Sequence, residues 1–244
     1  FALILVVILI LSSYDRRWAV YPHSRLFHSC LWGSVASILL NILCVFTISQ
    51  AQRFPLTLNI LLNSAYFLTT VLVSAVVAYC ILYLIYEHSY RKRGFRTACL
   101  ALAICYLMYF ILILVNVKIG AVFYFDAHRQ YQRGPLINSG YLIIFAELFI
   151  AALCAFRNRQ SIGYAMRRTL CILPPIILLL IVYQIAYSHV LLNGGILLAA
   201  DIILLLNFQS RPVEQDSLTS IGSRSSFYHE LDVRLKERQQ FQII

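Results

Sequence analysis

The chain has 244 residues, of which 61% are hydrophobic and only 12% are charged, and its formal net charge is +10. A soluble domain is usually about 45–50% apolar, so this composition excludes an ordinary soluble fold and predicts that much of the surface faces lipid. The seven cysteines all lie inside apolar runs. We therefore interpret them as small buried hydrophobic side chains rather than as disulfides or metal ligands.

Seven apolar runs predict seven membrane spans, because about 18 apolar residues are enough for a helix to cross a bilayer. The first run, Phe1–Ser13, is short, and since the chain begins with Phe rather than Met we expect the start of this span to be missing. The other runs are Leu26–Ile48, Leu58–Tyr86, Ala98–Val117, Ser139–Phe156, Thr169–Tyr187 and Leu191–Phe208. The predicted fold class is an all-α membrane protein, a bundle of seven transmembrane helices over residues 1–209.

The basic residues of the connections predict the orientation of this bundle. The connections after spans one, three and five hold eleven Lys and Arg residues, whereas the alternate connections hold four. Because cytoplasmic loops carry the excess of Lys and Arg, we expect the N-terminus outside and the segment after Phe208 in the cytoplasm. The same clustering at the inner face explains the net charge, so we expect a lipid bilayer and no nucleic acid as a partner.

Several classes of seven-span protein can be compared with the sequence. A retinal protein needs a lysine in the last span, and 191–208 contains none. A G-protein-coupled receptor would carry an acidic-Arg-aromatic turn after span three and an NPxxY-like end to span seven, but "YEHSYRKRGF" and "LLLNFQSRP" stand at these positions. A transporter usually has matching broken spans in its two halves; Pro174–Pro175 interrupts span six and "NGG" opens span seven, but the first half has no counterpart. A transporter stays the second interpretation.

Polar residues inside the predicted spans are candidate functional residues, because ionisable groups at membrane depth are costly. Glu147 in span five and Asp201 in span seven are the acids, and Asn41, Asn63 and Gln184 are uncharged additions. One interpretation is a buried ligand or proton site between helices that includes Glu147, Asp201 and Gln184. The other is hydrogen bonding between helices.

The longest non-cytoplasmic connection, residues 117–140, is predicted to form a small outward-facing hairpin. "AVFYFD" is typical of a short strand and "AHRQYQRG" of a turn with a returning strand. The loop concentrates Asp126, Arg129, Tyr131 and Arg133, which could cap a pocket in the bundle and sense a ligand. In the alternative, this is an ordinary ordered loop in which Asp126 pairs with Arg129 or Arg133.

After a polar linker, residues 210–215, the tail 216–244 contains a predicted helix with Phe227, Leu231 and Leu235 on one stripe. Its acids and bases balance, which disfavours a helix lying on the membrane, and its apolar stripe disfavours disorder. The "HEL" triplet is typical of the histidine kinase phospho-accepting box, but the proline that follows there is missing. We therefore predict a short cytoplasmic helix that begins an α/β domain, which breaks off as its first strand starts.

Two motifs resemble bacterial membrane-anchored GGDEF-domain proteins. The tail is similar to the domain's opening motif, D-x-L-T-G-L-x-N-R-x-x-F, although Ser220 and Ser223 stand where the family favours Gly and Asn. The loop Phe123–Pro135, of the form F-Y-F-D-x-x-x-x-Y-x-R-G-P, resembles the multispan sensor region of such proteins. The matched tail positions are Asp216, Leu218, Thr219, Ile221, Arg224 and Phe227.

The resemblance implies a sensor with an unknown small ligand in a bacterial plasma membrane, controlling a diguanylate cyclase that joins two GTP molecules into cyclic di-GMP. Such catalysis needs Mg²⁺ held by carboxylates, and the motifs that supply them are expected beyond Ile244. We thus assign no catalytic residue, metal ligand or cofactor within the chain. The resemblance implies that Asp216, Thr219, Arg224 and Phe227 couple the linker to the domain, and that the protein is a homodimer. A receptor acting through a separate partner is a further alternative.

Overall fold

The computed structural model describes residues 23–86, 92–158, 164–187 and 193–209, together with Leu3, Ile4, Val6, Val7 and Ile10. The linker 210–215 and the tail 216–244, with Asp216, Thr219, Arg224 and Phe227, lie outside the described residues, as does most of the predicted first span. Within the four described ranges the helices and strands are α1 (His23–Ser49), α2 (Leu56–Tyr86), α3 (Lys92–Ile119), β1 (Phe123–Phe125), β2 (Tyr131–Arg133), α4 (Ser139–Arg157), α5 (Tyr164–Ala186) and α6 (Asn193–Gln209).

The helices α1 to α6 coincide with predicted spans two to seven. Four of them, α1 to α4, contain segments long and apolar enough to cross a membrane, and α5 contributes a shorter apolar segment, Pro175–Ala186. The structure therefore confirms a mostly helical chain of membrane type. Seven spans, the orientation of the chain and the α/β domain stay predictions. Of the first span, Val6 and Ile10 are buried in the main hydrophobic core.

The outer surface of the bundle is strongly apolar. Large side chains such as Trp32, Leu142 and Phe156 are 54%, 71% and 70% exposed. A soluble monomer rarely exposes contiguous apolar surface on this scale. Lipid is the environment in which such a surface is stable.

Close packing of α1 against α2 depends on small residues. A Cβ added to Gly33 would lie 2.9 Å from Cγ2 of Val73, so the two helices approach closely at this point. One helical turn away, the hydroxyls of Ser37 and Thr70 are 2.9 Å apart and form a hydrogen bond. Small and hydroxyl residues are common where helices meet in membranes, because they let backbones approach and satisfy each other's polar groups.

The long helix α2 is the centre of the bundle, and it packs against α1, α3 and α4. At one end of α2, Tyr79 and Tyr86 pack against Phe95 of α3, with ring centroids 5.9 and 5.8 Å apart. On the other side of the bundle, α6 packs against α1 and α5. The last helix before the linker is therefore in contact with the rest of the described bundle.

The expectation that Pro174–Pro175 interrupts span six was wrong, since α5 runs without a break from Tyr164 to Ala186. A proline removes one backbone hydrogen bond, and a helix can continue through it when the neighbouring bonds are kept. The "NGG" segment does open the last helix, because α6 begins at Asn193.

Candidate functional site

The loop between α3 and α4 forms the predicted hairpin. Strands β1 and β2 pair antiparallel, with Phe123 opposite Arg133 and Phe125 opposite Tyr131. A strand alternates its side chains between two faces, and here Phe123 is buried while Tyr124 is exposed. One face of the hairpin therefore covers the end of the bundle.

The tip of the hairpin is built around Asp126. Its Oδ1 accepts the backbone N–H groups of His128, at 2.9 Å, and of Gln130, at 2.8 Å. The hydrogen bond from Gln130, followed by that from His128, lowers the pKa of Asp126 below its usual value of 3.8. Arg129 at the tip has a φ of 60°. The carboxylate thus binds backbone amides of the turn, and a pairing of Asp126 with Arg129 or Arg133 stays a prediction.

The base of the hairpin is held by Asn116 in the last turn of α3. Its Oδ1 accepts the N–H groups of Val122, at 2.6 Å, and Phe123, at 3.2 Å. Its Nδ2 donates to the carbonyl of Phe123 at 3.1 Å. Gly120, with a φ of 67°, turns the chain out of α3 into the hairpin. A left-handed conformation of this kind favours glycine.

Aromatic rings fix the hairpin to the bundle. The ring of Phe123 stacks on Phe67 of α2 with centroids 5.5 Å apart, and on Tyr131 with centroids 6.0 Å apart. Phe125 meets Tyr131 edge to face. Such contacts add to the stabilisation from burial. The hairpin is thereby packed as a fixed cover over the bundle.

Beneath this cover lies a cavity of about 320 Å³. This volume is at the lower end of the range of roughly 300–1,000 Å³ that small-molecule sites occupy. Its polar lining comes from every described helix except α6 and from β2: Asn41, Asn63, Tyr66, Thr70, Tyr109, Tyr131, Arg133, Asn138, Tyr141 and Gln184. Apolar side chains such as Phe67, Val71 and Ile144 complete the wall.

Tyr109 is the most informative of the lining residues. Its side chain is 1% exposed, and its hydroxyl has no hydrogen-bond partner. The hydroxyl points at Gly140, where an added Cβ would lie 2.9 Å from it. A buried hydroxyl without a partner is costly, so Tyr109 offers an unused hydrogen bond to whatever enters the cavity. Burial raises the pKa of Tyr131, on the hairpin, to about 12, so this hydroxyl keeps its proton at neutral pH.

An open groove leads to the cavity between the α1–α2 connection and the hairpin tip. Its lining includes Arg53, His128 and Arg129. Ile48 and Tyr131 line both the groove and the cavity, so the two spaces adjoin. Within the described part of the chain, no acidic residue lines either space.

A smaller void of about 40 Å³ adjoins the deep side of the cavity, since Thr70, Tyr141 and Ile144 line both. It is bordered on its far side by Ile196, Leu197 and Ala200 of α6. The cavity under the hairpin is thus separated from α6 by one layer of side chains and a void.

The two acids predicted at membrane depth are fully buried. Glu147 and Asp201 are both 0% exposed, and neither carboxylate has a hydrogen-bond partner. The hydroxyl of Ser74 on α2 faces Glu147, and that of Ser34 on α1 faces Asp201, but neither pair has the geometry of a hydrogen bond. Neither acid lines the cavity under the hairpin.

The structure therefore divides the candidate residues into groups. Tyr131, Arg133 and Gln184 line one cavity, Arg129 lies in the groove that leads to it, and Asp126 shapes the hairpin tip. Glu147 and Asp201 lie at two separate helix contacts deeper in the bundle. Sequence reasoning missed Asn116, Tyr109 and Thr70. Asn116 carried a usable signal, because it is an amide in the last turn of a span, four residues before a glycine.

Comparison of the chain with models of protein families, with curated proteins and with solved structures found no match. Among the residues that the structure describes, no three His, Cys, Asp or Glu side chains gather as metal ligands would. The fold and the site together define a bundle of apolar helices of membrane type, with a polar cavity covered by a hairpin at one end.

Proposed function

We propose that the protein is a membrane sensory module that binds a small ligand under the hairpin and transmits the occupancy of the cavity to α6. The observation that carries this proposal is the adjacency of the two spaces. Thr70, Tyr141 and Ile144 separate the cavity from the void against α6. A ligand that moves these side chains changes the surface on which α6 packs.

In the membrane, the protein has the topology expected from the distribution of Lys and Arg. Seven spans cross a bacterial plasma membrane, the N-terminus and the hairpin face outside, and α6 leads into the cytoplasm. In this arrangement the groove at the hairpin tip opens to the extracellular side, where an environmental ligand arrives.

The output is a GGDEF domain that follows the linker 210–215 and begins within residues 216–244. Its support is the match of Asp216, Thr219, Arg224 and Phe227 to the domain's opening motif. In the intact protein that domain binds GTP and Mg²⁺ and makes cyclic di-GMP. The chemistry requires two GTP-loaded domains face to face, so the signalling unit is a homodimer, and Asp216 and Arg224 pass the pose of the linker to the domain.

The void gives α6 room to adopt two packing arrangements. A ligand shifts such an equilibrium only by its difference in affinity for the two states. Occupancy of the cavity favours the pose of α6 that brings the two domains of the dimer into the productive geometry. Residues 1–209 contribute binding and coupling, and the catalytic groups belong to the GGDEF domain.

The test uses the full natural reading frame in membranes, with cyclic di-GMP formation from GTP and Mg²⁺ as the readout. Ala200→Leu fills the void and fixes α6, so we expect output to change severalfold and to stop responding to occupancy of the cavity, whereas insertions in the linker 210–215 should still change it. Ala199→Leu is the matched control, because Ala199 does not line the void. Unchanged output in Ala200→Leu contradicts the coupling. An absence of cyclic di-GMP points to a receptor acting through a separate partner.

A transporter is the second candidate, and the buried acids favour it. Glu147 and Asp201 have no hydrogen-bond partner in the described bundle, and unpaired acids at membrane depth are typical of proton pathways. Flux of a labelled solute into vesicles, abolished by Glu147→Gln or Asp201→Asn, would support transport. Output of cyclic di-GMP without flux would exclude it.

A further inference from the structure

The polar cavity under the hairpin and the groove that leads to it have a shared charge pattern. Arg53 and Arg129 line the groove, and Arg133 lies on the wall of the cavity. A cleft lined by one sign of charge concentrates ligands of the opposite sign and speeds their arrival. The pattern therefore attracts anions to the groove and onward to the cavity.

Asp126, three residues before Arg129, takes part in hydrogen bonds within the hairpin. Oδ1 of Asp126 accepts two backbone N–H groups, from His128 and Gln130. None of the described residues that line the groove or the cavity is acidic. Among the described residues, the lining of the groove and the cavity therefore carries three arginines and no carboxylate, and this local excess of positive charge disfavours a cationic ligand.

The interior of the cavity places a second requirement on the ligand. Phe67, Val71 and Ile144 offer apolar contact, whereas the unpartnered hydroxyl of the buried Tyr109 can donate a hydrogen bond. A simple inorganic anion would leave the apolar wall unused. A purely apolar molecule would leave the Tyr109 hydroxyl unpaired, at a cost in free energy.

We propose that the cavity under the hairpin binds a small organic carboxylate, whose carboxylate lies against Arg133 and whose apolar or aromatic body occupies the space lined by Phe67, Val71 and Tyr109. This ligand class rests on the proposed sensory function. Arginine suits the carboxylate because its planar guanidinium can form two parallel hydrogen bonds with it. Arg53 and Arg129 attract the ligand and steer it inward without holding it.

The test compares three molecules of one shape with the purified full chain in zwitterionic detergent: 3-phenylpropionate, its amide and 3-phenylpropylamine. Binding is measured by calorimetry and by the shift of the thermal unfolding midpoint. We expect the carboxylate alone to bind and to raise the midpoint. Equal binding of the amide or the amine, or no binding of the carboxylate, overturns the proposal.

Variants identify the site. Arg133→Gln is expected to weaken the carboxylate about tenfold or more, because a charge-assisted hydrogen bond is lost, and Arg133→Lys to recover part of this. Tyr109→Phe is expected to weaken binding severalfold. Lys118→Gln is the control, since it removes one cation from the same end of the bundle without touching the cavity. An equal effect of Lys118→Gln and Arg133→Gln would show only a general charge effect and would refute the site.

Two further arms separate the possible failures. Phosphatidylglycerol is added to the detergent to test whether the site binds a lipid phosphate. If this lipid stabilises the wild-type chain but not Arg133→Gln, and the carboxylate does not bind, the proposal of a soluble ligand is overturned. Cyclic di-GMP output of the intact protein is measured with the carboxylate and its amide. Binding without a change in output leaves the ligand class intact and contradicts the sensory function. A change in output with the amide alone contradicts the ligand class and leaves the sensory function intact.

Discussion

The Sγ atoms of Cys30 on α1 and Cys80 on α2 lie 3.4 Å apart in the core of the bundle. Both side chains are buried, 0% and 1% exposed, and both are free thiols. Asp201 of α6 lies close enough to Cys30 to interact with it electrostatically. This thiol pair therefore marks the place where α1, α2 and the last helix meet, and it provides a direct chemical check on the packing.

We expect diamide to join Cys30 and Cys80 in a disulfide, with the two thiol hydrogens transferred to the reagent. A small movement of the side chains suffices, because the sulfur atoms are already in contact. Trypsin cleaves after Arg53, between α1 and α2, so oxidised chains keep the two fragments together on a non-reducing gel. Cys80→Ser is expected to release them, and Cys44→Ser, farther along α1, to leave them joined. Separated fragments in the oxidised wild-type chain would contradict the packing of α1 on α2.

The carboxamide of Asn116 should be essential for the cover. Asn116→Ala leaves the buried N–H groups of Val122 and Phe123 without an acceptor, which costs about 1–3 kcal/mol. We expect a lower unfolding midpoint in detergent and faster tryptic cleavage at Arg129 and Arg133. Tyr124→Ala, on the exposed face of β1, is the control. Equal protection of the hairpin in Asn116→Ala and wild type would refute the role of Asn116.

Gly134 is required by a close approach of two backbone segments. A Cβ at this position would fall on the backbone carbonyl of Ala121. Because backbone cannot yield as a flexible side chain can, Gly134→Ala should lower stability by about 1–3 kcal/mol. Gly94→Ala is the comparison, since its Cβ would meet only the far end of the Tyr86 side chain. The stability of both variants is measured by thermal unfolding. Equal unfolding midpoints would contradict the close approach of the backbone at Gly134 to that at Ala121.

The hairpin tip should open in acid. The folded pKa of Asp126 is lowered from 3.8, chiefly by the hydrogen bond from Gln130. A lowered folded pKa gives a stabilisation that is complete above the unfolded value and is lost as pH falls through the folded one. The protection of the His128 and Gln130 amides, meaning their exchange rates relative to the intrinsic rates at the same pH, should therefore fall below about pH 4. Asp126→Asn keeps an acceptor oxygen without the charge, so its exchange should show no such pH step. A step in both proteins would assign it to another group.

The hydropathy of the sequence predicted the positions of the helices α1 to α6 because the apolar length of a span is a physical requirement of the bilayer. The hairpin was also predictable, because its strands alternate and a glycine follows them. The continuity of α5 through Pro174–Pro175 was not predictable, because whether a proline breaks a helix depends on whether the neighbouring backbone hydrogen bonds are also lost. Helix length and strand pattern are local properties, and this is why they could be read from the chain.

The candidate site depended on contacts that sequence spacing does not contain. Tyr131, Arg133 and Gln184 were predicted as candidates, but only the fold shows that they line one cavity with Tyr109. Asp126 was predicted to sense a ligand or pair with an arginine, and the structure adds a role that the sequence did not predict, since its Oδ1 accepts two backbone N–H groups. The short side chain of an Asp in a tight turn can also accept hydrogen bonds from neighbouring backbone N–H groups. Residue type alone therefore could not decide between these roles.

The buried acids give the last prediction. A carboxylate that is fully buried without a hydrogen-bond partner destabilises the bundle, and an apolar side chain of similar size relieves this. Glu147→Met and Asp201→Leu should therefore unfold at a higher temperature than wild type. We expect their free energy of unfolding to be larger by about 1–4 kcal/mol. Ile150→Met, a change between apolar residues on α4, is expected to cost less than about 1.5 kcal/mol.

The same two variants separate stability from function when the output of the intact protein is recorded beside the unfolding midpoint. Residues kept at a cost in stability are expected to serve function, so the Met and Leu variants should gain stability and lose response. A loss of stability in Glu147→Met would mean that the carboxylate has a partner outside the described residues. A gain in stability with a normal response would make Glu147 dispensable for signalling and would leave the hairpin cavity as the site that controls α6.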